Sequence, residues 1–352
     1  MQFIRKHKIL TAIVAVLLVL AATVVGGIHY FLSKITYSRG GVPIETAPTL
    51  SAPAPGVSDP ESDDIGDIAL DEKSAKALQN ADDLIRRNLD DTKKWYSDQV
   101  LNVMLFGYDY GSKNYPYGRS DAMIVLSLNK AIHKVRIISL SRTAYAAIPG
   151  YPNTRLSHAH GYGGPALAMR AIELNYKFRI DNFISCSFDS FKQIIDAFGG
   201  VPITLTQKEA KVLRAHFGGF TVAGTYNLNG EQALLYARTR KIDTDRDRTG
   251  RQRKVIYSLA QKAKSLSVPD CIALLDKVLP LVQTDLTKNE IVYQLANALS
   301  YLNYDFEQQI IPAKPYPLVL RDDFEVILMN WPKEVQYLHD LMYEGVTPSY
   351  EG

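Results

Sequence analysis

From residue 99 onward, short apolar runs alternate with longer segments whose apolar residues recur at helical spacing. "VLNVMLFG" (100–107), "DAMIVLSL" (121–128) and "KVRIISL" (134–140) are rich in Val, Ile and Leu and predict strands. "FISCSF" (183–188), "VPITL" (201–205) and "QIIPA" (309–313) predict three more. Between them, "GPALAMRAIELNYKF" (164–178) and "DSFKQIIDAFGG" (189–200) predict helices, the second closed by glycine. Further helices are expected near 230–239, 247–266, 268–281 and 287–301. Such interleaving predicts an α/β fold, a three-layer α-β-α sandwich with a mixed central sheet.

The pattern upstream is different. Residues 9–28 carry no formal charge and are mostly Ile, Leu, Val and Ala. As a helix, such a run spans roughly 30 Å, the thickness of a bilayer core. Arg5, Lys6 and Lys8 precede it, which places the N-terminus in the cytoplasm and the rest outside. A cleaved signal peptide is the rival reading, but its apolar core is normally shorter and ends in an A-x-A-like site. Residues 39–64 are rich in Pro, Ser, Gly and Ala, a composition that cannot bury a core. Leu78, Ala81, Ile85 and Leu89 then recur at helical spacing within 68–97. The expected organisation is a cytoplasmic tail (1–8), one transmembrane anchor (9–32), an extracytoplasmic linker (33–67), an accessory helix (68–99), the main domain (100–313) and a C-terminal extension (314–352). The chain is expected in the cell membrane as a single-pass protein.

The links between the first three strands are too short for comfortable crossover helices, and "NKAIH" (129–133) suits a hairpin. If the three strands are sequential antiparallel neighbours, the end of the first, the start of the second and the end of the third share one sheet edge. Asp109, Asp121 and Arg142 fall at those points, with Arg119 two residues before Asp121. Paired carboxylates with open coordination suit Mg²⁺, with Mn²⁺ as an alternative. Arginine forks suit phosphate oxygens. Metal and arginine on one phosphate is the equipment of phosphoryl transfer. Taken singly, each residue also suits a plainer role, as a turn former or an ion-pair partner.

Charge sharpens this reading. The 352 residues carry 40 basic and 37 acidic side chains, and the three extra cations are the ones before residue 34. Residues 34–352 are therefore neutral, which argues against a nucleic-acid-binding face. Yet "YARTRKIDTDRDRTGRQRK" (236–254) alone is +5. Asn229 and Gln232 predict a capping box for a helix ending near Arg238 and Arg240. The next helix, starting at Asp245 or Asp247, has Ile256, Leu259 and Ala263 on its apolar face. Extended backwards, that stripe reaches Gln252 and Arg248, so a cation sits on the inward face near a helix N-terminus. Arg246, Arg251 and Arg253 are expected in solvent or salt bridges, and Asp243, Asp245 and Asp247 as caps and ion-pair partners. His158 and His160 form an H-x-H pair without a supporting Cys or His cluster for zinc. Cys186, in an apolar strand, reads as a free core thiol. Neither a Walker loop nor a G-x-S-x-G elbow occurs.

The ordered set "FGYDY", "GRSDAMIVLSLN", "VRIISLSRTAYAAIPG", "RLSHAHGYGG", "FDSFKQIIDAFGGVPI", "LNGEQALLYARTR" and "DRTGRQRKVI" resembles the LytR–CpsA–Psr family of bacterial cell-wall enzymes over about 100–266. The resemblance implies a Mg²⁺-dependent extracytoplasmic phosphotransferase. Such an enzyme moves a glycopolymer from a polyprenyl-pyrophosphate carrier to a peptidoglycan acceptor as a phosphodiester. It implies metal binding by Asp109 and Asp121, and pyrophosphate contacts from Arg119, Arg142, Arg238, Arg240, Arg248 and Gln252. Catalytic roles fall to Arg142, Asp121 and Arg119. Two positions depart from the family pattern: Thr143 stands where an acid usually follows the arginine, and Arg155 where lysine is common. A hydrolase using the same site and a non-catalytic binder of lipid-linked precursors are the alternatives.

Overall fold

The computed structural model of the protein describes residues 36–37, 68–109, 111–112, 114–240, 242–321 and 324–351. The expected anchor and most of the expected linker lie outside these. Among the described residues no helix is long and apolar enough to cross a membrane.

In chain order the elements are β1 (Thr36–Tyr37), α1 (Glu72–Leu89), β2 (Lys94–Tyr96), β3 (Val100–Tyr108), β4 (Ser120–Asn129), β5 (Lys134–Leu140), β6 (Tyr145–Ile148), β7 (Tyr151–Arg155), α2 (Leu156–Tyr176), β8 (Asn182–Ser187), α3 (Phe188–Ala197) and β9 (Val201–Leu205). Then follow α4 (Gln207–Phe217), β10 (Gly224–Leu228), α5 (Gly230–Arg238), α6 (Asp245–Lys264), α7 (Val268–Val278), β11 (Gln283–Thr284), α8 (Lys288–Tyr301), β12 (Asp305–Ile311), β13 (Pro317–Arg321), β14 (Phe324–Ile327), α9 (Trp331–Met342) and β15 (Ser349–Glu351). The main sheet runs β1-β11-β8-β3-β4-β5-β12. β3, β4 and β5 are sequential antiparallel neighbours, while β8 joins β3 and β12 joins β5 in parallel. The sheet is therefore mixed, as the interleaved pattern predicts.

Alternation along the strands divides the molecule. Met104 and Phe106 of β3, Met123 and Val125 of β4, and Ile138 and Leu140 of β5 bury against α1, α2 and α9, joined there by Ile85, Ile172 and Leu338. α3 and α6 lie against the sheet as well. Arg253 of α6 donates to Ser139 Oγ of β5 at 2.7 Å, on the strand face opposite Ile138. A second core, including Ile195, Leu213, Tyr236 and Val255, joins α3, α4, α5, α6 and β9.

Several expectations shift. β9 leaves the main sheet and pairs with β10 in a separate ribbon. The helix expected from 164 is present from Pro165 on, and a separate helical segment from Leu156 leads into it through Gly163 and Gly164, whose backbone angles are not helical. The accessory helix stops at Leu89, and residues 94–96 instead pair with β15. Thr36 and Tyr37, inside the expected linker, form an edge strand beside β11. The C-terminal region folds into the main core: Trp331 of α9 is 1% exposed and packs edge-on against Tyr176 at 5.1 Å. Both cysteines are free, and burial pushes the Cys186 thiol up to about 11.

Candidate active site

The end of β3 and the start of β4 build the first wall. Their pairing shifts register after Gly107, so that Tyr108 faces Ser120. The connecting loop is closed by Asp109 N–H donating to Arg119 O at 3.2 Å and Arg119 N–H donating to Asp109 Oδ1 at 2.7 Å. Gly118 permits this closure: its φ is +72°, and a Cβ there would collide with the Asp109 carbonyl. Arg142 follows β5, and its carbonyl accepts from Ser157 N at 3.0 Å, which ties the turn to α2. Asp109, Arg119, Asp121 and Arg142 thus share the sheet edge that strand order predicts.

The second wall is the link between α5 and α6. α5 ends at Arg238, and the Thr244–Asp247 capping box starts α6 at Asp245. Three guanidiniums converge on Asp121 Oδ1: Arg142 at 2.9 Å, Arg240 at 3.4 Å and Arg248 at 3.9 Å. Arg248 is only 1% exposed, so the helical phase that turned it inward holds. Arg238 is exposed and lies over the Phe188 ring at 4.3 Å. Gln252 sits behind this wall and donates to the Asp121 carbonyl at 3.3 Å.

The two walls enclose a cavity of about 1150 Å³. Asp109, Arg119, Asp121, Arg142, Arg238, Arg240 and Arg248 all line it; Gln252 does not. With Arg155, Lys208 and Lys211, the lining holds six arginines and two lysines against two aspartates. Such an imbalance attracts anions. Arg142 Nε and Arg248 Nε are buried without a hydrogen-bond acceptor among the described residues, although Asp245 Oδ1 lies 3.6 Å from the former, so the fold does not saturate these guanidiniums.

The carboxylates respond oppositely. At Asp121 burial works to raise the carboxyl, but Arg142, Arg248, Arg240 and Arg238 outweigh it and hold the group below its ordinary value. At Asp109 burial and the negative charge of Asp121 win over the Arg119 hydrogen bond, and the carboxyl is raised. Burial and the neighbouring Arg142 push Arg248 down to about 9, still cationic at neutral pH. Two carboxylates near enough to repel, in a cavity open to water, fit a hard divalent cation whose remaining ligands are water or phosphate oxygens. No group of three or more metal-ligating side chains occurs among the described residues.

Some residues with plainer expected roles also belong to the site, among them Asp245, which forms ion pairs as expected. Asp245 does more than begin a helix: its Oδ1 lies 2.7 Å from Arg248 Nη2 and 3.6 Å from Arg142 Nε. It supplies the second carboxylate beside Arg142, where Thr143 carries none. Its i, i+3 spacing from Arg248 was the available signal. Arg155 lines the cavity, donates to Glu325 O at 2.8 Å and lies 3.6 Å from the Phe324 ring centre. Arg251 and Arg253 are both buried; the salt bridge expected as one alternative is formed by Arg251 and not by Arg253. Arg251 pairs with Asp243 at 2.5 Å, and Arg253 bonds Ser139. His158 and His160 are both buried, with protonation suppressed chiefly by burial. His160 Nδ1 lies 2.8 Å from Gly118 O and so supports the loop between β3 and β4.

Fold and site together define an α/β protein with an arginine-and-aspartate anion cavity at one edge of a mixed sheet. A sequence model of the LytR_cpsA_psr family matches residues 68–324, and the chain belongs to that family. It is 34% identical over 173 residues to the polyisoprenyl-teichoic acid–peptidoglycan teichoic acid transferase TagT of Bacillus subtilis, covering 47% of this chain and 54% of that one. It is also 34% identical over 208 residues to the transferase TagU of Oceanobacillus iheyensis, covering 56% and 62%. The alignments thus span between half and two thirds of these relatives. Among solved structures, TagT bound to LIIa-WTA is similar at a TM-score of 0.57 and 24% identity, over 70% of this chain and 90% of that one. TagT with bound octaprenyl pyrophosphate lipid is similar at 0.53 and 22%, with the same coverage. These structural likenesses establish the shared fold.

Proposed function

We propose that the protein is a phosphotransferase that moves an anionic glycopolymer from a polyprenyl-pyrophosphate carrier to peptidoglycan. The observation that carries this reading is the convergence of Arg142, Arg240 and Arg248 on Asp121 in a cavity whose lining is strongly cationic. The names of the relatives, teichoic acid transferases, support it, as does the octaprenyl pyrophosphate bound to TagT.

The arginines would bind the pyrophosphate by paired hydrogen bonds, because Asp121 and Asp245 leave Arg142, Arg240 and Arg248 with excess cationic charge. Arg119, at the mouth of the loop, would orient the reacting phosphorus. A wall hydroxyl attacks the phosphorus that bears the glycan. The bond from that phosphorus to the bridging oxygen breaks, and polyprenyl phosphate leaves with the electron pair. The hydroxyl's proton needs an acceptor, and the carboxylates lining the cavity are Asp109 and Asp121. Those two residues would also hold Mg²⁺, which supplies charge neutralisation at the pyrophosphate when bound. The reading places residues 9–32 in the membrane and the folded domain outside the cell.

The test is transfer from a polyprenyl-pyrophosphate-linked saccharide to peptidoglycan, with Arg142→Ala and Asp121→Ala as variants. Both should lose transfer while keeping the circular-dichroism spectrum of the parent. Wild-type rates in either variant would sink the assignment. Glycan release without an acceptor, and none transferred with one, would make the protein a hydrolase.

A further inference from the structure

α4 lends Lys208 and Lys211 to the cavity lining, but the turn after it carries apolar features that pyrophosphate chemistry does not use. Lys208, Lys211 and Arg214 are exposed, and none forms an ion pair or a side-chain hydrogen bond among the described residues. The following turn, "HFGGFTV" (216–222), leaves Phe217 43% and Val222 60% exposed. It is held from beneath by Tyr226, whose hydroxyl donates to Val222 O at 2.9 Å and whose ring lies 4.9 Å from that of Phe220. Two apolar side chains are thus presented to solvent on a supported turn beside three unpaired cations. α4 also lines the cavity through Lys208, Lys211, Val212, Ala215 and His216, so this tip stands at the cavity rim.

Strand register says which way that rim points. β8 runs parallel to β3 and reaches Ser187 opposite Tyr108, at the site edge. β11 runs antiparallel to β8, with Gln283 opposite Ser185 and Thr284 opposite Ile184. β1 runs parallel to β11, with Thr36 opposite Gln283. The chain therefore enters β1 from the site edge. Ile28, the last residue of the apolar run, is eight residues before Thr36, a reach of at most about 29 Å. An anchor at 9–28 keeps the site edge close to the bilayer.

We infer that the turn 216–222 is a membrane-docking tip. Phe217 and Val222 enter the interface of an anionic bilayer, and Lys208, Lys211 and Arg214 meet its lipid phosphates. The cavity mouth is then held against the surface that presents the lipid-linked substrate. Apolar tips flanked by cations partition in this way. Two exposed apolar side chains are too little for a specific protein partner, which needs about 1,000 Å² of buried surface. The inference rests on the reading of the protein as an anchored enzyme of lipid-linked substrates.

The experiment uses the full chain reconstituted into phosphatidylglycerol–phosphatidylcholine vesicles with brominated acyl chains. Phe217→Trp and Val222→Trp report on the tip. Tyr350→Trp, on β15 at the opposite sheet edge, is the reference, and the parent's own tryptophans set the baseline. Bromine quenching at 217 and 222 should exceed that at 350 by roughly three-fold. Replacing Lys208, Lys211 and Arg214 with Gln should weaken tip docking by about five-fold per charge, as should omitting phosphatidylglycerol. Equal quenching at the tip and at 350 overturns the inference. Quenching does not depend on turnover. A protein that docks but transfers nothing keeps the tip and loses the proposed activity; one that transfers without preferential quenching does the reverse.

Discussion

β5 and the turn after it hold two arginines, six residues apart, in opposite states. Arg136 is 2% exposed and saturated: Nε donates to Glu307 at 2.8 Å, Nη1 to the Leu341 carbonyl and Nη2 to the Glu344 carboxylate. Lys134 joins the same two acids at 3.0 and 3.2 Å. Arg142 instead shares one carboxylate oxygen with Arg240 and Arg248, and its Nε has no hydrogen-bond acceptor among the described residues. Stoichiometry separates them. Two acids and a carbonyl serve the first cluster, which ties the C-terminal residues to the sheet. In the second, Asp121 and Asp245 serve three guanidiniums, an excess of cation that makes it a receptor for anions.

The largest expected effect tests that contrast directly. Arg142→Ala should reduce transfer by roughly 10²–10³, the usual loss when a transition-state charge partner is removed. Its urea midpoint should hardly move, because one of three crowded cations has gone. Arg136→Ala should do the opposite. Its stability should fall by about 2–3 kcal/mol, less than for a fully enclosed pair because Glu307 and Glu344 are partly exposed. Turnover per folded molecule should stay at the parental value. If both variants lose the same property, the contrast between saturated and unsaturated arginines is wrong.

Asp245 sharpens the comparison, because it is the acid that partly offsets the site cluster. Asp245→Asn removes a charge 2.7 Å from Arg248 and 3.6 Å from Arg142. Inorganic pyrophosphate should then bind about three-fold tighter, since the cavity becomes more cationic. Turnover should fall about ten-fold, since two guanidiniums lose the group that orients them. Calorimetry and initial rates would measure the two separately. Tighter binding with unchanged turnover would make Asp245 a charge balance and nothing more.

What was legible in the chain follows from the range of the signals. Asp109, Asp121 and Arg142 come together on the condition that the three apolar runs pair as sequential antiparallel neighbours, which the short 129–133 link favours and the 108–120 link, lacking a comfortable crossover helix, allows. Arg248 and Gln252 were turned inward by counting back along one helix face. Gln252 illustrates the limit of that argument: it faces inward but sits behind the cavity wall. Arg251 forms the expected salt bridge, with Asp243, whereas Arg253 forms none, because helical phase says nothing about the partner surface. Asp243 and Ser139, which receive them, lie on other elements. Strand β1 is only two residues long, below any periodic signal. Gly163 and Gly164 break the helix as their type suggests, while the segment from Leu156 ahead of them is helical despite Gly161, which packs against Tyr115.

The smallest effect lies in the two site carboxylates, which should answer pH with opposite signs. Asp109 is raised by burial and by Asp121, so the folded state binds its proton more readily than the unfolded chain does. Its charge therefore destabilises the fold above the raised value, and that penalty fades as pH falls toward the ordinary 3.8. Asp121 is lowered, so its charge stabilises the fold above 3.8, and that contribution is lost as pH falls through the depressed value. Asp109→Asn keeps an Oδ1 acceptor for Arg119 N–H and should raise the thermal midpoint at pH 7 by about 1–2 °C, with no gain near pH 3. Asp121→Asn should lower the midpoint at pH 7. Added Mg²⁺ should raise the parent's midpoint and leave that of Asp109→Asn unmoved, a readout independent of turnover. A parent and an Asp109→Asn variant that respond equally to Mg²⁺ would remove Asp109 from the metal site while leaving the arginine receptor standing.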